Sequence, residues 1–170
     1  LRQAARLGAD EVVATGCWAT LQPGQAAALP RVKRVVLNER KDFLVEETLN
    51  VQRSTFNLEP FSRVPLPGLH RRTRAFIKVQ DGCGNACTFC VTTIARGESR
   101  SRLLADVIED INFSLAGGAK EIVLTGVHLG SWGQDLSFHL RELVEAILRE
   151  TETPRLRLSS LEPWDLDADF

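Results

Sequence analysis

The alternation of apolar and polar positions divides the second half of the chain into strands and helices. AFIKVQ (75–80) and RLRLSS (155–160) alternate as strands do, and EIVLTG (121–126) is a nearly continuous apolar run. Between them, LLADVIEDINFSLAGG (103–118) and LSFHLRELVEAILRE (136–150) each place apolar side chains on one helical face. Strands and helices that alternate over short connections predict βαβ units and a parallel sheet.

The first fifty residues carry a weaker form of the same pattern. LRQAARLGAD (1–10) has helical spacing, EVVATG (11–16) reads as a short buried strand, and RVKRVVLN (31–38) as a second strand. A short helix is expected after the break at Pro23-Gly24. Residues 51–72 are rich in proline and lack sustained periodicity, which is typical of a linker. The sequence therefore predicts an α/β protein with separate regions over 1–50 and 73–170.

Composition adds limits on class and setting. Hydrophobic residues make up 44% and charged residues 25% of the 170 residues, as in ordinary globular proteins. No apolar run approaches the roughly 20 residues that a membrane helix needs, so no membrane partner is predicted. Three of the four cysteines are clustered, which favours a reducing, cytoplasmic setting over a secreted disulfide framework. The absence of methionine and the abrupt end in LEPWDLDADF predict a fragment.

Basic residues are concentrated around the cysteine cluster. Between Phe61 and Arg102 there are eight lysines and arginines against two acidic residues, in a chain of net charge −1. This distribution indicates an anionic partner near the cluster. The arginines considered for that role are Arg71, Arg72, Arg74, Arg96, Arg100 and Arg102.

The cysteine cluster has the spacing Cys83-x-x-x-Cys87-x-x-Cys90. A structural zinc site usually needs four ligands, and neither a second pair nor a nearby histidine follows. A redox dithiol would use two cysteines and leave Cys83 without a role. Three thiolates can hold three irons of a 4Fe–4S cluster and leave the fourth iron open. The spacing therefore favours an iron–sulfur cluster.

Other residues with possible chemistry receive simpler interpretations. His128 and His139 are interpreted as a loop and a helix-surface residue, and Trp18, Trp132 and Trp164 as packing residues. Cys17, taken alone, is interpreted as a small buried apolar residue at a strand end.

The segment Cys83-x-x-x-Cys87-x-Phe89-Cys90, placed just after a strand, resembles the signature of radical S-adenosylmethionine enzymes. The resemblance implies that the three cysteines ligate a 4Fe–4S cluster whose open iron chelates the methionyl group of S-adenosylmethionine. It also implies that Phe89 packs near the adenine of that cofactor.

The same resemblance assigns a role to the end of the second strand of this region. Thr125, Gly126 and Val127 occupy the place where the superfamily contacts the amino group of S-adenosylmethionine. They are therefore candidate cofactor-binding residues.

Longer segments are similar to the methylthiotransferases, and within them to the branch acting on threonylcarbamoyladenosine in tRNA. These segments are RAFIKVQDGCGNACTFC, ARGESRSR, EIVLTGVHLGSWGQDL and RLRLSSLEP. VVATGCWAT resembles the last cysteine region of that family's amino-terminal domain, which implies that Cys17 is one of three ligands of an auxiliary 4Fe–4S cluster. The chain departs from the family at Val91-Thr92-Thr93-Ile94, where members often carry a proline.

The resemblance implies a domain organisation and a reaction. Residues 1–50 would close the family's small α/β amino-terminal domain, 51–72 would be a linker, and 73–170 would begin a (βα) radical-enzyme barrel. The reaction would start with a 5′-deoxyadenosyl radical and add a methylthio group at position 2 of the modified adenine. The implied partners are a tRNA anticodon loop and an electron donor for the cluster, and this fragment alone is expected to be inactive.

Other functions stay open at this level. Within the family, the substrate could instead be isopentenyladenosine in tRNA or an aspartate of a ribosomal protein. Outside it, an iron–sulfur electron carrier would need a fourth close cysteine, and a zinc-stabilised RNA-binding module would need a fourth ligand.

Overall fold

The computed structural model describes residue 8, residues 10–44 and 73–166, and residues 168 and 170. The predicted linker over 51–72 and most of the predicted helix over 1–10 lie outside the described residues. Within the described part, the chain divides into two compact units. The amino-terminal unit contains the residues up to 44 together with Ala86–Gly97, and the carboxyl-terminal unit contains 73–85 and 98–170.

The amino-terminal unit is built on two parallel strands, β1 (Val12–Thr15) and β2 (Val32–Val36). Two short helices, α1 (Cys17–Leu21) and α2 (Pro23–Ala27), connect these strands. Both predicted strands and the predicted short helix are confirmed, and α1 is an additional helix that the pattern did not indicate. The centre of this unit consists of three small buried residues, Ala14, Ala19 and Ala26, and Val32 and Val35 pack against them. Because these side chains are small, the short elements lie close together.

A third short helix of this unit, α3 (Thr92–Arg96), follows the segment that carries Cys83, Cys87 and Cys90 (residues 83–90, the cysteine segment). Its Ala95 is buried, and the Ala95 carbonyl accepts a hydrogen bond from the side-chain amide of Asn38. Asn38 is itself 2% exposed, so this bond satisfies a buried polar group. The residues after the third cysteine are therefore part of the packing of the amino-terminal unit.

The carboxyl-terminal unit contains a parallel sheet of β3 (Arg74–Lys78), β6 (Glu121–Thr125) and β7 (Leu156–Leu158), in the order β3-β6-β7. The segment between β3 and β6 adds a short antiparallel pair, β4 (Gln80–Asp81) with β5 (Arg100–Ser101). The parallel arrangement predicted from the pattern is confirmed. The antiparallel pair was not predicted, because two-residue strands carry no periodicity.

Two helices cover the apolar face of this sheet, α4 (Leu104–Ala116) and α5 (Leu140–Glu150). Val107 and Ile111 of α4 and Leu143 and Ile147 of α5 are fully buried in one core with the strands. β6 is the central strand, and four of its five residues are buried, as its apolar run predicted.

On the opposite face of the sheet, ion pairs connect the central strand with both of its neighbours. Glu121, at the start of β6, lies 2.9 Å from the Nε atoms of both Arg74 on β3 and Arg157 on β7. Its side chain is only 10% exposed, and both arginines face the same buried oxygen, Oε1, without the alignment of a hydrogen bond. The pairs therefore compensate the desolvated carboxylate through charge alone. Arg74 is thus engaged at the end of β3 that lies away from the cysteine segment, which removes it from the candidates for contacts beside the cluster.

The helix predicted over 136–150 begins only at Leu140. Ser137 has a left-handed backbone with φ of 60°, and His139 is extended, so neither residue can continue a helix. The Glu142 carboxylate accepts a hydrogen bond from the His139 amide at 2.8 Å and completes the helix start.

In the described residues, the parallel sheet has three strands, which is less than a barrel of the predicted kind. Its three parallel strands confirm an α/β fold, and the described residues form no closed barrel. Among them, none of the helices has both the length and the apolar character required to span a membrane.

Two leucines of α5 offer a matched test of the core. Leu143 is fully buried and Leu148 is 60% exposed on the same helix. Leu143→Ala should lower the free energy of unfolding by about 2–5 kcal/mol, because it leaves a cavity. Leu148→Ala should change it by less than about 0.5 kcal/mol. Urea denaturation followed by circular dichroism measures both, and equal losses would contradict the assignment of this core.

Candidate functional site

The cysteine segment begins in the carboxyl-terminal unit, directly after β4. Asp81 is 4% exposed, and its carboxylate accepts hydrogen bonds from the Gly82 amide at 2.9 Å and from Lys78 Nζ at 3.0 Å. Gly82 has φ of 77°, a backbone conformation that favours glycine. Cys83 therefore follows a turn whose shape is fixed by a buried carboxylate.

Cys87 and Cys90 lie on an exposed turn assigned to the amino-terminal unit. The Cys90 amide donates a hydrogen bond to the Cys87 carbonyl at 3.1 Å, which closes the turn. The pKa of the Cys90 thiol lies below its ordinary value, because the hydroxyl and the amide of Thr92 hydrogen-bond to its thiolate. Phe89 lies between the two cysteines and is 91% exposed.

Cys17 is the first residue of α1 and is partly buried. Burial raises the pKa of its thiol, but hydrogen bonds from Asn38 and Arg96 and the charges of Arg96 and Lys41 outweigh burial and place the pKa below its ordinary value. The Asn38 amide lies 3.6 Å from Cys17 Sγ. This environment favours the thiolate, which is the form that binds metals.

All four cysteines are free thiols. Across residues 10–44 and 73–166, no three His, Cys, Asp or Glu side chains are gathered closely enough to hold a metal ion. The chemistry of the donor set nevertheless fits an iron–sulfur cluster, because thiolates are the ligands that such clusters use. Cys87 and Cys90 are exposed on a segment without regular structure, and Cys17 and Cys90 have lowered pKa values.

The buried side chain that organises the carboxyl-terminal part of the site is Gln80. It is 1% exposed. Its amide nitrogen shares two protons among three acceptors, the Gly82 carbonyl at 2.7 Å, the Asp81 carbonyl at 3.1 Å and Ser99 Oγ at 2.8 Å. Its amide oxygen accepts from the backbone N–H groups of Val127 and His128 at 2.8 and 3.0 Å. One amide therefore connects the residues before Cys83 with the loop after β6.

The three residues predicted to contact the cofactor lie in that loop. The Thr125 hydroxyl donates to the Ile77 carbonyl at 3.2 Å, and the Val127 amide is held by Gln80. A Cβ atom at Gly126 would lie 2.8 Å from Gln80 Oε1, so the approach of Gln80 requires a glycine there. The structure brings Thr125, Gly126 and Val127 to the same edge of the sheet as the start of the cysteine segment, since Gln80 hydrogen-bonds to both places.

Sequence reasoning did not identify Gln80. A signal was present, because a glutamine ends the apolar alternation of AFIKVQ immediately before the cysteine segment. Its hydrogen bonds reach residues 19 and 48 positions away along the chain, and the sequence pattern does not reveal such partners.

The candidate arginines have individual environments. Arg102 pairs with Asp110 at 2.7 Å and donates to the Lys78 carbonyl at 3.1 Å, so it has a structural role. Arg96 hydrogen-bonds to Cys17, and Arg100 is exposed on β5. Arg71 and Arg72 lie outside the described residues.

Comparisons with known proteins add relatives of defined function. A threonylcarbamoyladenosine tRNA methylthiotransferase (MtaB) of Thermotoga maritima is 37% identical over 167 residues, which cover 94% of the chain and 38% of that protein. The Bacillus subtilis protein of the same name is 33% identical over 95% of the chain and 39% of its own length. A tRNA-2-methylthio-N(6)-dimethylallyladenosine synthase of Staphylococcus haemolyticus is 36% identical over 55% of the chain and 18% of its own length.

The chain thus spans about two fifths of the length of the MtaB proteins that it matches. No protein-family model matches it. The similarity over nearly the whole chain shows that this chain belongs to the methylthiotransferase family.

Gln80→Glu tests the connecting amide with an almost isosteric change. The carboxylate cannot donate to the two carbonyls or to Ser99, and it adds a charge near Asp81, so the free energy of unfolding should fall by about 1–3 kcal/mol. Gln134→Glu, on an exposed residue of the same unit, should leave it unchanged. Denaturant titrations of both variants measure the difference, and an equally stable Gln80→Glu variant would refute the assigned network.

Proposed function

We propose that the chain is part of a tRNA methylthiotransferase that adds a methylthio group at position 2 of threonylcarbamoyladenosine next to the anticodon. The observation that carries this proposal is the 33–37% identity, over about 95% of the chain, to proteins named for that activity. The free thiols of the cysteine segment and the partial parallel sheet are compatible with the proposal.

Four cysteines would hold the metal groups. Cys83, Cys87 and Cys90 would ligate a 4Fe–4S cluster that binds S-adenosylmethionine, and Cys17 would be one ligand of an auxiliary 4Fe–4S cluster. When bound, these groups supply radical chemistry able to replace hydrogen on an unactivated aromatic carbon, together with sulfur and a methyl group.

The chain's own residues would position the cofactor. The amides of Val127 and His128 and the carbonyl of Thr125 already have hydrogen-bond partners within the unit. We therefore assign the contact with the cofactor's amino group to the backbone carbonyls of Gly126 and Val127. Phe89 would supply an aromatic face to the adenine, since its ring is almost fully exposed.

The proposed partners are a tRNA anticodon loop, whose unpaired bases can be turned out toward an enzyme, and an electron donor for the cluster. The proposed location is the cytoplasm. On β5, Arg100 is the exposed arginine that we propose for phosphate contact.

A second candidate substrate is dimethylallyl-modified adenosine in tRNA. The observation that favours it is the 36% identity over 96 residues to the Staphylococcus haemolyticus synthase. The longer matches to MtaB proteins support the threonylcarbamoyl substrate more strongly.

Anaerobic reconstitution of the full-length protein with iron and sulfide tests the ligand assignment. The wild-type protein should bind two 4Fe–4S clusters, and a Cys83→Ala, Cys87→Ala, Cys90→Ala variant should keep one, because the auxiliary site has separate ligands. Iron analysis and Mössbauer spectroscopy measure the content. Cys17→Ala serves as the matched control and should lose the other cluster. Unchanged iron content in the triple variant would exclude these three cysteines as ligands.

Nucleoside analysis of tRNA tests the substrate. Deletion of the full-length gene should remove 2-methylthio-threonylcarbamoyladenosine from digested tRNA and leave the dimethylallyl-type methylthio nucleoside at its wild-type level. Liquid chromatography with mass spectrometry measures both nucleosides, and complementation with the intact gene provides the control. Loss of the dimethylallyl-type nucleoside alone would establish the second candidate instead.

A further inference from the structure

The helix that follows the cysteine segment packs beside Cys17 within the amino-terminal unit. α3 begins two residues after Cys90, and it contacts α1, whose first residue is Cys17. The Arg96 side chain, in the last turn of α3, hydrogen-bonds to the Cys17 sulfur, and its positive charge acts on the same group. Arg96 thus contacts the proposed ligand of the auxiliary cluster from a helix adjacent in sequence to the ligands of the other cluster.

A second connection between α3 and Cys17 passes through Asn38. The side-chain nitrogen of Asn38 donates to the Ala95 carbonyl at 2.5 Å and lies 3.6 Å from Cys17 Sγ. A side-chain amide has two protons, so it can donate to both groups at once. The Asn38 backbone N–H donates to Thr20 Oγ1 at 3.0 Å, which helps to fix this buried residue. Two donors from different segments therefore converge on one sulfur.

The backbone that precedes Cys17 is constrained as well. Gly16 has φ of 98°, a conformation that favours glycine. Its carbonyl accepts hydrogen bonds from the Thr20 hydroxyl at 3.1 Å and from the Thr20 backbone N–H at 3.0 Å. The first turn of α1 is therefore held in one conformation, which keeps Cys17 Sγ within reach of both donors.

Donors of this kind affect an iron–sulfur cluster through its thiolate ligands. A guanidinium stays protonated at every working pH, so Arg96 is a permanent positive donor. One-electron reduction adds a negative charge to a cluster, and a hydrogen bond or a positive charge at a ligating sulfur stabilises the more negative state. Such outer partners also orient the ligand itself. Loss of the Arg96 side chain is therefore expected to make the cluster harder to reduce.

We propose that Arg96 is a positioning residue for the auxiliary cluster: it holds Cys17 and raises the reduction potential of the bound cluster. The proposal rests on the proposed function, which assigns Cys17 to that cluster. It also gives α3 a role that the cysteine spacing does not indicate. The helix connects the segment that would carry one cluster with a ligand of the other.

The test uses the full-length protein with Cys83, Cys87 and Cys90 changed to alanine, so that only the auxiliary cluster is reconstituted. Titration with dithionite under electron paramagnetic resonance spectroscopy measures the reduction potential of that cluster. Arg96→Met removes both the donor and the charge. At a fixed solution potential, the ratio of reduced to oxidised cluster should fall roughly tenfold, which is a shift of about 59 mV to lower potential for a one-electron couple.

Two further variants separate the hydrogen bond from the charge. Arg96→Lys keeps a donor and the charge, so its potential should stay close to that of the parent protein. Arg96→Gln keeps only a donor, and its potential should lie between those of the lysine and methionine variants. Arg34→Met removes an exposed arginine from β2 of the same unit and is the matched control, which should leave the potential unchanged.

A purely structural role of Arg96 predicts a different result. Arg96→Met would then lower the melting temperature measured by circular dichroism without changing the potential of the bound cluster. An equal potential in every Arg96 variant that binds the cluster refutes the proposal. If Arg96→Met and Arg96→Gln bind no cluster, retention by Arg96→Lys supports the proposal, and loss from that variant as well refutes it.

The proposed function and the role of Arg96 can fail separately. If the deletion strain keeps its methylthio nucleosides while the potentials shift as expected, the tRNA function fails and the role of Arg96 stands. If the nucleoside is lost but the potentials do not shift, the function stands and the role of Arg96 is refuted. A cluster that persists after an added Cys17→Ala change, or no cluster in the parent protein, overturns the assignment of Cys17 and the role of Arg96 together.

Discussion

The candidate site depends on one buried amide. Gln80 uses both ends of its side chain, and it joins the residues before Cys83, the serine at position 99 and the loop after β6. Because the side chain is almost fully buried, each of these bonds is made in a low-dielectric environment, where an unmade bond is costly. The same oxygen leaves no room for a Cβ atom at position 126. Backbone conformation at the proposed cofactor loop thus follows from a single side chain on another segment.

The sheet provides the support for this arrangement. One face is apolar and covered by α4 and α5, and the other carries Glu121 between Arg74 and Arg157. Parallel strands whose carboxyl ends lie at one edge place the following loops together, which is why such edges host ligands in α/β proteins. The loop beginning at Gly126 follows β6, and the start of the cysteine segment follows β3 through the short strand β4, so both begin at this edge.

The sequence predicted the elements with strong periodicity and missed those that depend on distant partners. β6 was predicted from a nearly continuous apolar run over five residues, and α4 from apolar positions that repeat over thirteen. The late start of α5 was not, because it follows from the left-handed backbone at Ser137. The cysteines were identified by spacing, whereas the role of Gln80 is visible only from the distant residues that it contacts. Trp164 was interpreted as a packing residue, and that interpretation is wrong because it is 73% exposed. Ligation by Cys83, Cys87, Cys90 and Cys17 and the domain boundaries stay predictions.

Glu121 has a further consequence for the alignment of the strands. Since side chains alternate between faces, a slip of one residue in β3 or β7 would move Arg74 or Arg157 to the apolar side and leave the carboxylate without that partner. The apolar core penalises the same slip from the opposite face. Register in this sheet is therefore specified twice, by two kinds of interaction that respond differently to salt and temperature, so conditions that weaken one leave the other to keep the strands aligned.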